Sequence, residues 1–125
     1  MRYDDLTETI IGCAFDVHNR MGAGFLESVY ENCMLIELEE KGLTATAQQP
    51  VDVHYKNERV GAYVADVIVE DLVILELKSV KELVDRHEVQ LVHYLNATRT
   101  DVGLLINFGP GEADIRRKVK DLPQE

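Results

Sequence analysis

Apolar residues recur at three- and four-residue steps in three stretches of this chain, at residues 4–20, 26–41 and 84–98. This spacing places apolar side chains on one face of an α-helix, so each stretch predicts a helix. The second stretch has so many apolar positions that we expect its helix to be buried on more than one side. Representative periodic residues are Ile10, Ala14, Val17, Leu26, Val29, Cys33, Ile36, Leu91 and Leu95.

Strand-forming residues fill five further stretches, at 44–55, 59–69, 72–80, 102–108 and 113–119. The first contains a proline, which predicts an edge strand or a bulged one. The fourth, VGLLINF, is almost continuously apolar and predicts a strand covered on both sides. The fifth is ambiguous between strand and helix, and we prefer the strand.

The order of these elements is helix, helix, three-strand meander, helix, strand and final strand. This order predicts an α/β sandwich with a mixed central sheet and an extra N-terminal helix. A chain of 125 residues is one domain's length, so we expect residues 1–125 to form a single domain.

Composition narrows the class of protein. No stretch approaches the roughly 20 apolar residues of a membrane span, and the first residues, MRYDDLTETIIG, lack the layout of a signal peptide. We therefore expect a soluble, cytoplasmic protein. Cys13 and Cys33 lie among apolar residues at helical spacing and predict small core residues rather than a disulfide or a zinc site.

The formal net charge is −10, which argues against a broad basic surface for nonspecific nucleic-acid binding. It leaves room for a local basic groove, or for acidic groups whose charge a metal ion offsets. Basic residues cluster at Arg116, Arg117 and Lys118, and a solvated surface explains this small cluster better than a phosphate-binding patch.

Three charges interrupt the predicted hairpin VADVIVEDLVILELKSV, at Asp66, Glu76 and Lys78. Charges in such runs are costly unless they are paired, solvated or bound to metal. A three-residue loop at 70–72 would place Asp66 opposite Glu76, whereas a two-residue loop would place it opposite Leu75.

Two carboxylates that meet beside a lysine suit a hard divalent cation such as Mg²⁺, which accepts carboxylate, water and phosphate oxygens. The metal would activate a water, and the lysine would orient that water or stabilise charge on the phosphate. The alternative is an ion pair of Lys78 with Asp66 or Glu76 on a solvated face, in a hairpin that forms no site.

Four further residues could join such a site, and each has a simpler interpretation. Glu27 begins the second helix, where an acid also favours the helix dipole, and Tyr30, one turn on, could be a core tyrosine. Gln90 and Tyr94 lie one turn apart beside the apolar stripe of the third helix. They could bind a phosphate or a nucleotide, or they could form an ordinary amphipathic boundary.

Together these stretches resemble a known family. Gly24-x-x-Glu27-x-x-Tyr30 is the signature of the GxxExxY proteins. Asp66 followed by Glu76-Leu77-Lys78 resembles the D…(D/E)xK core of the PD-(D/E)XK nuclease superfamily, and Gln90-x-x-x-Tyr94 is similar to the Q-x-x-x-Y motif of RecB-type members. The resemblance runs from about His18 to Gly109, with Ala65 where the superfamily pattern has proline.

The resemblance implies a restriction-endonuclease-like core and a nuclease that hydrolyses phosphodiester bonds of DNA with Mg²⁺ or Mn²⁺. It implies that Asp66 and Glu76 hold the metal, with Glu27 as a third ligand or a water-mediated one, and that Lys78 is the catalytic lysine. The substrate-positioning residues would be Gln90, Tyr94 and Tyr30.

A nuclease of this kind could form a homodimer that acts on the two strands of a DNA duplex. The alternative function is a catalytically silent module of the same fold that binds a protein or nucleic-acid partner.

Overall fold

A computed structural model of the protein describes residues 3–120. The described part contains three helices and five strands, named here in chain order: α1 Asp4–Met21, α2 Glu27–Glu40, β1 Ala45–Tyr55, β2 Glu58–Val69, β3 Val73–Lys78, α3 Asp85–Thr98, β4 Val102–Asn107 and β5 Asp114–Val119. Each helix and strand predicted from the sequence is present, with ends that differ by a few residues.

The five strands form one sheet in the order β1-β2-β3-β4-β5. β3 and β4 are parallel because α3 carries the chain back between them, and the other neighbours are antiparallel. The mixed sheet confirms the predicted α/β class and its restriction-endonuclease-like order. β1 is an edge strand, as its proline predicts, and 114–119 is the strand preferred for the ambiguous tail.

Helices cover the sheet on both faces. α1 and α2 pack on one face over a core that includes Val67, Leu75 and Leu104, whereas α3 packs on the other over Ile74 and Leu105. All six residues of β4 are buried, which confirms the expectation of a strand covered on both sides. No helix within residues 3–120 is long and apolar enough to cross a membrane.

α2 corrects one expectation, because it is buried on one side and not on several. Its buried residues are Tyr30, Met34 and Leu38, spaced by four. Ile36 is 59% exposed, and Leu26, just before the helix, is 77% exposed. The apolar positions of α2 therefore outnumber the positions that the fold buries.

The two cysteines are free: Cys13 is buried and Cys33 half-buried. The basic residues of β5 form ion pairs with acidic residues of the same chain. Arg116 binds Asp114 and Glu88, and Lys118 also binds Glu88. The cluster therefore does not form a free phosphate-binding patch.

A buried asparagine fixes the segment that follows β3. The side-chain oxygen of Asn107 accepts the Val80 N–H at 2.9 Å, and its amide donates to the Val80 carbonyl at 3.0 Å. The carbonyl of Gly109 accepts a bond from Nε2 of buried His18 at 2.8 Å. The Asn107 bonds join the ends of β3 and β4, the edge where Lys78 also lies, and the His18 bond ties α1 to the same edge.

This junction predicts a strong effect of Gly109→Ala. A Cβ at Gly109 would lie 2.5 Å from the Val80 oxygen and 2.7 Å from Nδ2 of Asn107. Because backbone must move to relieve the clash, we expect a loss of about 1–3 kcal/mol in the free energy of unfolding, measured by urea denaturation. Gly61→Ala is the control, since a Cβ there meets nothing within 4 Å; equal stability of the two variants would contradict the packing.

Candidate active site

The β2–β3 hairpin has the odd-length loop that an acidic site requires. Val69 pairs with Val73, so the loop is the three residues 70–72, and the ladder continues back to Val67 opposite Leu75. Glu70 and Asp71 both have positive φ, at 56° and 57°. The next positions along this register are Asp66 and Glu76, as the three-residue loop predicts.

The regular strand pattern breaks at Asp66. In a regular strand, Ala65 and Val67 would lie on the same face of the sheet. Here Ala65 belongs to the core under α3, whereas Val67 belongs to the core under α1 and α2. Ile68, the next residue, again faces α3. On the neighbouring strand, the residue between the partners of Ala65 and Val67 is Gln48, with φ of 52°. Local distortions of this kind re-aim side chains.

Asp66 is tied to the neighbouring strand where the ladder ends. Oδ2 of Asp66 accepts the Leu77 N–H at 2.8 Å. The Asp66 backbone in turn favours the ionised form of the Glu76 carboxyl and lowers its pKa. The bond from Leu77 therefore holds the Asp66 carboxylate between β2 and β3.

A cavity of about 180 Å³ lies between the ends of these strands and α3. Four of the predicted site residues line it: Glu76 and Lys78 from β3, and Gln90 and Tyr94 from α3. The wall is completed by Tyr63, His87, Leu91 and Leu105. Asp66 and Glu27 do not line this cavity.

Glu76 is the acid that lines this cavity, and its pKa is strongly shifted. Burial raises the pKa of its carboxyl to about 7, and the negative charge of Glu27 adds to the rise, although Lys78 and the Asp66 backbone oppose it. Its Oε1 is buried without a hydrogen-bond partner among the described residues. A buried carboxylate oxygen without a partner is costly, and a bound cation would satisfy it.

This pKa shift predicts a pH-dependent effect of Glu76→Gln on stability. The folded state keeps a proton that the unfolded chain releases near its ordinary value of 4.5, so the wild type loses stability as pH rises through about 7. The glutamine carries no charge and escapes this loss. In EDTA, urea denaturation should show the variant gaining stability relative to the wild type between pH 5 and pH 8, whereas exposed Glu82→Gln should show no such change. The same difference at both pH values would contradict the shift.

Tyr30 supports the glycine loop from inside the core. Its side chain is fully buried and its ring stacks on Phe108 with centroids 4.4 Å apart. Its hydroxyl donates to the Gly22 carbonyl at 2.6 Å and lies 3.3 Å from the Phe25 N–H. Direct contact with a substrate would require Tyr30 to leave the core, so its position favours holding the loop that precedes Glu27.

Glu27 begins α2 on the solvent side and is exposed. It lies close enough to Glu76 for its charge to act on that carboxyl. Among residues 3–120, however, no three His, Cys, Asp or Glu side chains come together in a group that could hold a metal. The described residues therefore hold no preformed group of three such ligands.

α3 supplies the opposite wall of the cavity. The ring of Tyr94 stacks on Tyr63 of β2, with centroids 3.9 Å apart and planes inclined by 18°. Gln90, one turn earlier, is exposed. Nδ1 of His87 accepts the Val84 N–H at 3.2 Å.

The sequence patterns gave neither His87 nor Tyr63 a role in the site, although both line the cavity. The sequence gives little sign of the role of Tyr63, because its position opposite α3 depends on the order of the strands and on the break in the strand pattern at Asp66. Neither is visible in a local pattern.

Comparison with known proteins identifies the family of this chain. A family model described as the PD-(D/E)XK nuclease superfamily matches residues 4–119. The chain belongs to that superfamily. In this chain, Asp66 and Glu76-Leu77-Lys78 follow the order of the superfamily's D…(D/E)xK pattern. Membership in the PD-(D/E)XK superfamily suggests a nuclease-type function, and these nucleases generally use divalent metals.

A solved structure also resembles this PD-(D/E)XK chain. The crystal structure of SSO0001 matches with a TM-score of 0.57 at 16% sequence identity, over 77% of this chain and 50% of that one. The match thus covers about half the length of that protein, and the likeness shows a shared fold. Among curated proteins, no match was found.

Proposed function

We propose that this chain is a metal-dependent nuclease that hydrolyses phosphodiester bonds of DNA, with Mg²⁺ or Mn²⁺ as its ion. The observation that carries the proposal is the cavity that brings Gln90 and Tyr94 together with Glu76 and Lys78 of β3, the strand whose Leu77 N–H donates to the Asp66 carboxylate. A carboxyl group, an ammonium group and a side-chain amide in one small cavity suit a phosphodiester with a cation.

The residues present fit a hard divalent cation. Among residues 3–120, Oε1 of Glu76 is buried without a hydrogen-bond partner, and Oδ2 of Asp66 accepts the Leu77 N–H. Two carboxylates with waters and substrate oxygens suit Mg²⁺, which seldom takes an all-protein cage. When bound, the ion supplies positive charge that activates a water and offsets the charge of the phosphate.

We assign Asp66 and Glu76 to the metal and Glu27 to a water-mediated contact with it. Lys78 lies two residues after Glu76 in the same cavity, and its charge favours the ionised carboxylate of Glu76. We assign Lys78 to orienting the attacking water and stabilising the negative charge that develops on the phosphate.

Gln90 and Tyr94 face these groups from α3, and we assign them to positioning the substrate. Tyr30 supports the loop before Glu27, so its part in positioning is indirect. A homodimer that presents one cavity to each strand is the arrangement we propose for a duplex substrate.

The acidity of the chain favours a second candidate, a silent module of the same fold that binds a protein or nucleic-acid partner. The net charge is −10, and Arg116, Arg117 and Lys118 are engaged by carboxylates. Little free positive charge remains there to attract nucleic acid.

Calorimetric titration with Mg²⁺ and Mn²⁺ separates the two candidates. The nuclease should bind the ion at millimolar concentration or below, and binding should tighten between pH 6 and pH 8 as Glu76 loses its proton. Absence of binding by folded protein at millimolar metal would favour the silent module.

A further inference from the structure

We propose that His87 is a substrate-binding residue of this site, whose Nε2–H donates a hydrogen bond to a phosphate oxygen of the nucleic acid. The inference rests on the proposed nuclease function and deepens it. It assigns a task to a residue that lies outside the D…(D/E)xK and Q-x-x-x-Y patterns.

The first support is the position of His87. It is the third residue of α3 and forms part of the same cavity wall as Glu76, Lys78 and Gln90. Its side chain is half-buried there, so it can contact a ligand in the cavity.

The second support is the fixed tautomer of the ring. Nδ1 accepts the Val84 N–H at 3.2 Å, and the His87 N–H donates to the Val84 carbonyl at 3.0 Å. Because Nδ1 acts as an acceptor, the ring proton resides on Nε2. The bond with Val84 therefore orients the imidazole and leaves Nε2 as a donor.

The third support is the chemistry of the cavity wall. Lys78, His87 and Gln90 offer donors, and Glu76 is the ionisable acid among the lining residues. A ligand that matches this wall is an anion rich in acceptor oxygens, such as a phosphodiester. The simpler alternative is that His87 serves only to cap α3 through Val84.

Two substitutions separate capping of α3 from substrate binding, because one keeps the acceptor function of Nδ1 and the other keeps the donor function of Nε2. His87→Asn places an amide oxygen near the position of Nδ1, which retains an acceptor for Val84 but removes the distal donor. His87→Gln places an amide N–H near the position of Nε2 and loses the acceptor for Val84. If His87 is only a cap, the Asn variant should behave as the wild type.

The first measurement is kcat/KM for cleavage of a labelled oligonucleotide in Mg²⁺, together with the melting temperature. We expect His87→Asn to lose about 10- to 100-fold in kcat/KM, the value of a hydrogen bond to a charged group, with an unchanged melting temperature. His87→Gln should stay within about tenfold of the wild type. A wild-type rate for the Asn variant, or equal losses in both variants, would overturn the inference.

The second measurement works without cleavage and so distinguishes failure of His87's role from failure of the nuclease function. Fluorescence anisotropy would compare a thymidine tetranucleotide with and without a 5′-phosphate, in Ca²⁺. The wild type should prefer the phosphorylated form, and His87→Asn should lose about tenfold or more of that preference. An unchanged preference would overturn the inference even if the wild type cuts no substrate.

Discussion

Lys78→Ala should abolish DNA cleavage while leaving the protein folded. Lys78 shares its cavity with Glu76, Gln90 and Tyr94, and its ammonium group is the positive charge assigned to the reacting phosphate. Removing a donor that acts on developing charge typically costs about 10²- to 10³-fold in rate. Initial rates of oligonucleotide cleavage at saturating Mg²⁺ would measure the loss.

Lys81→Ala is the matched control for this experiment. Lys81 lies three residues further along and lines a separate cavity with Gly24 and Ser79. It carries the same charge, so its removal changes the overall field equally but leaves the reacting groups in place. If both variants cut at the wild-type rate, or if both lose the same activity, Lys78 has no special part in the chemistry.

Asp66→Asn should weaken metal binding at least tenfold and reduce cleavage with it. Asparagine keeps an oxygen that can accept the Leu77 N–H at 2.8 Å, so the hairpin should persist. The variant loses the negative charge that a hard divalent cation requires. Loss of an outer-shell partner already costs about 10- to 100-fold in metal affinity, and loss of a ligand should cost at least as much. Calorimetric titration with Mn²⁺ would measure the affinity.

Asp71→Asn removes the same charge from the loop of the same hairpin. Asp71 is exposed and has φ of 57°, a conformation that asparagine tolerates well. We expect its metal affinity to equal that of the wild type. Equal affinity of the Asp66 and Asp71 variants would show that general charge, and not a ligand at Asp66, attracts the ion.

Local patterns predicted the elements of this fold because its helices and strands follow their periods closely. The exposed side of α2 is the exception: Ile36 is 59% exposed although its spacing fits a buried face. A pattern reports which side chains are apolar, but the number of neighbouring layers decides how many are covered. The ion pairs of Arg116 with Asp114 and Glu88 also depend on tertiary neighbours.

The hairpin shows how far sequence alone could lead toward the site. The spacing of Asp66 and Glu76 left two registers open, and the pairing of Val69 with Val73 selects the three-residue loop. Glu70 and Asp71 both have positive φ although neither is a glycine, so no residue type announced that turn. Tyr63 reaches the cavity through long-range pairing of β2, which spacing does not reveal.

The burial of Tyr30 separates the roles of the two residues in the Gly24-x-x-Glu27-x-x-Tyr30 motif. A tyrosine one turn after Glu27 would share a face with it on an isolated helix. In the fold, the tyrosine enters the core against Phe108, whereas Glu27 stays at the surface. The motif therefore combines a support for the loop with an acid near Glu76, and the two roles separate only when the packing is known.

The most direct test of the central claim is cleavage by the purified wild-type protein of single-stranded, duplex and branched DNA, in Mg²⁺ and in EDTA. The account predicts that at least one substrate is cut in Mg²⁺, that EDTA stops the reaction, and that Lys78→Ala prepared identically does not cut. Cleavage that persists in EDTA, or equal cleavage by the wild type and the Lys78 variant, would contradict the assignment of a metal-dependent nuclease site to Asp66, Glu76 and Lys78.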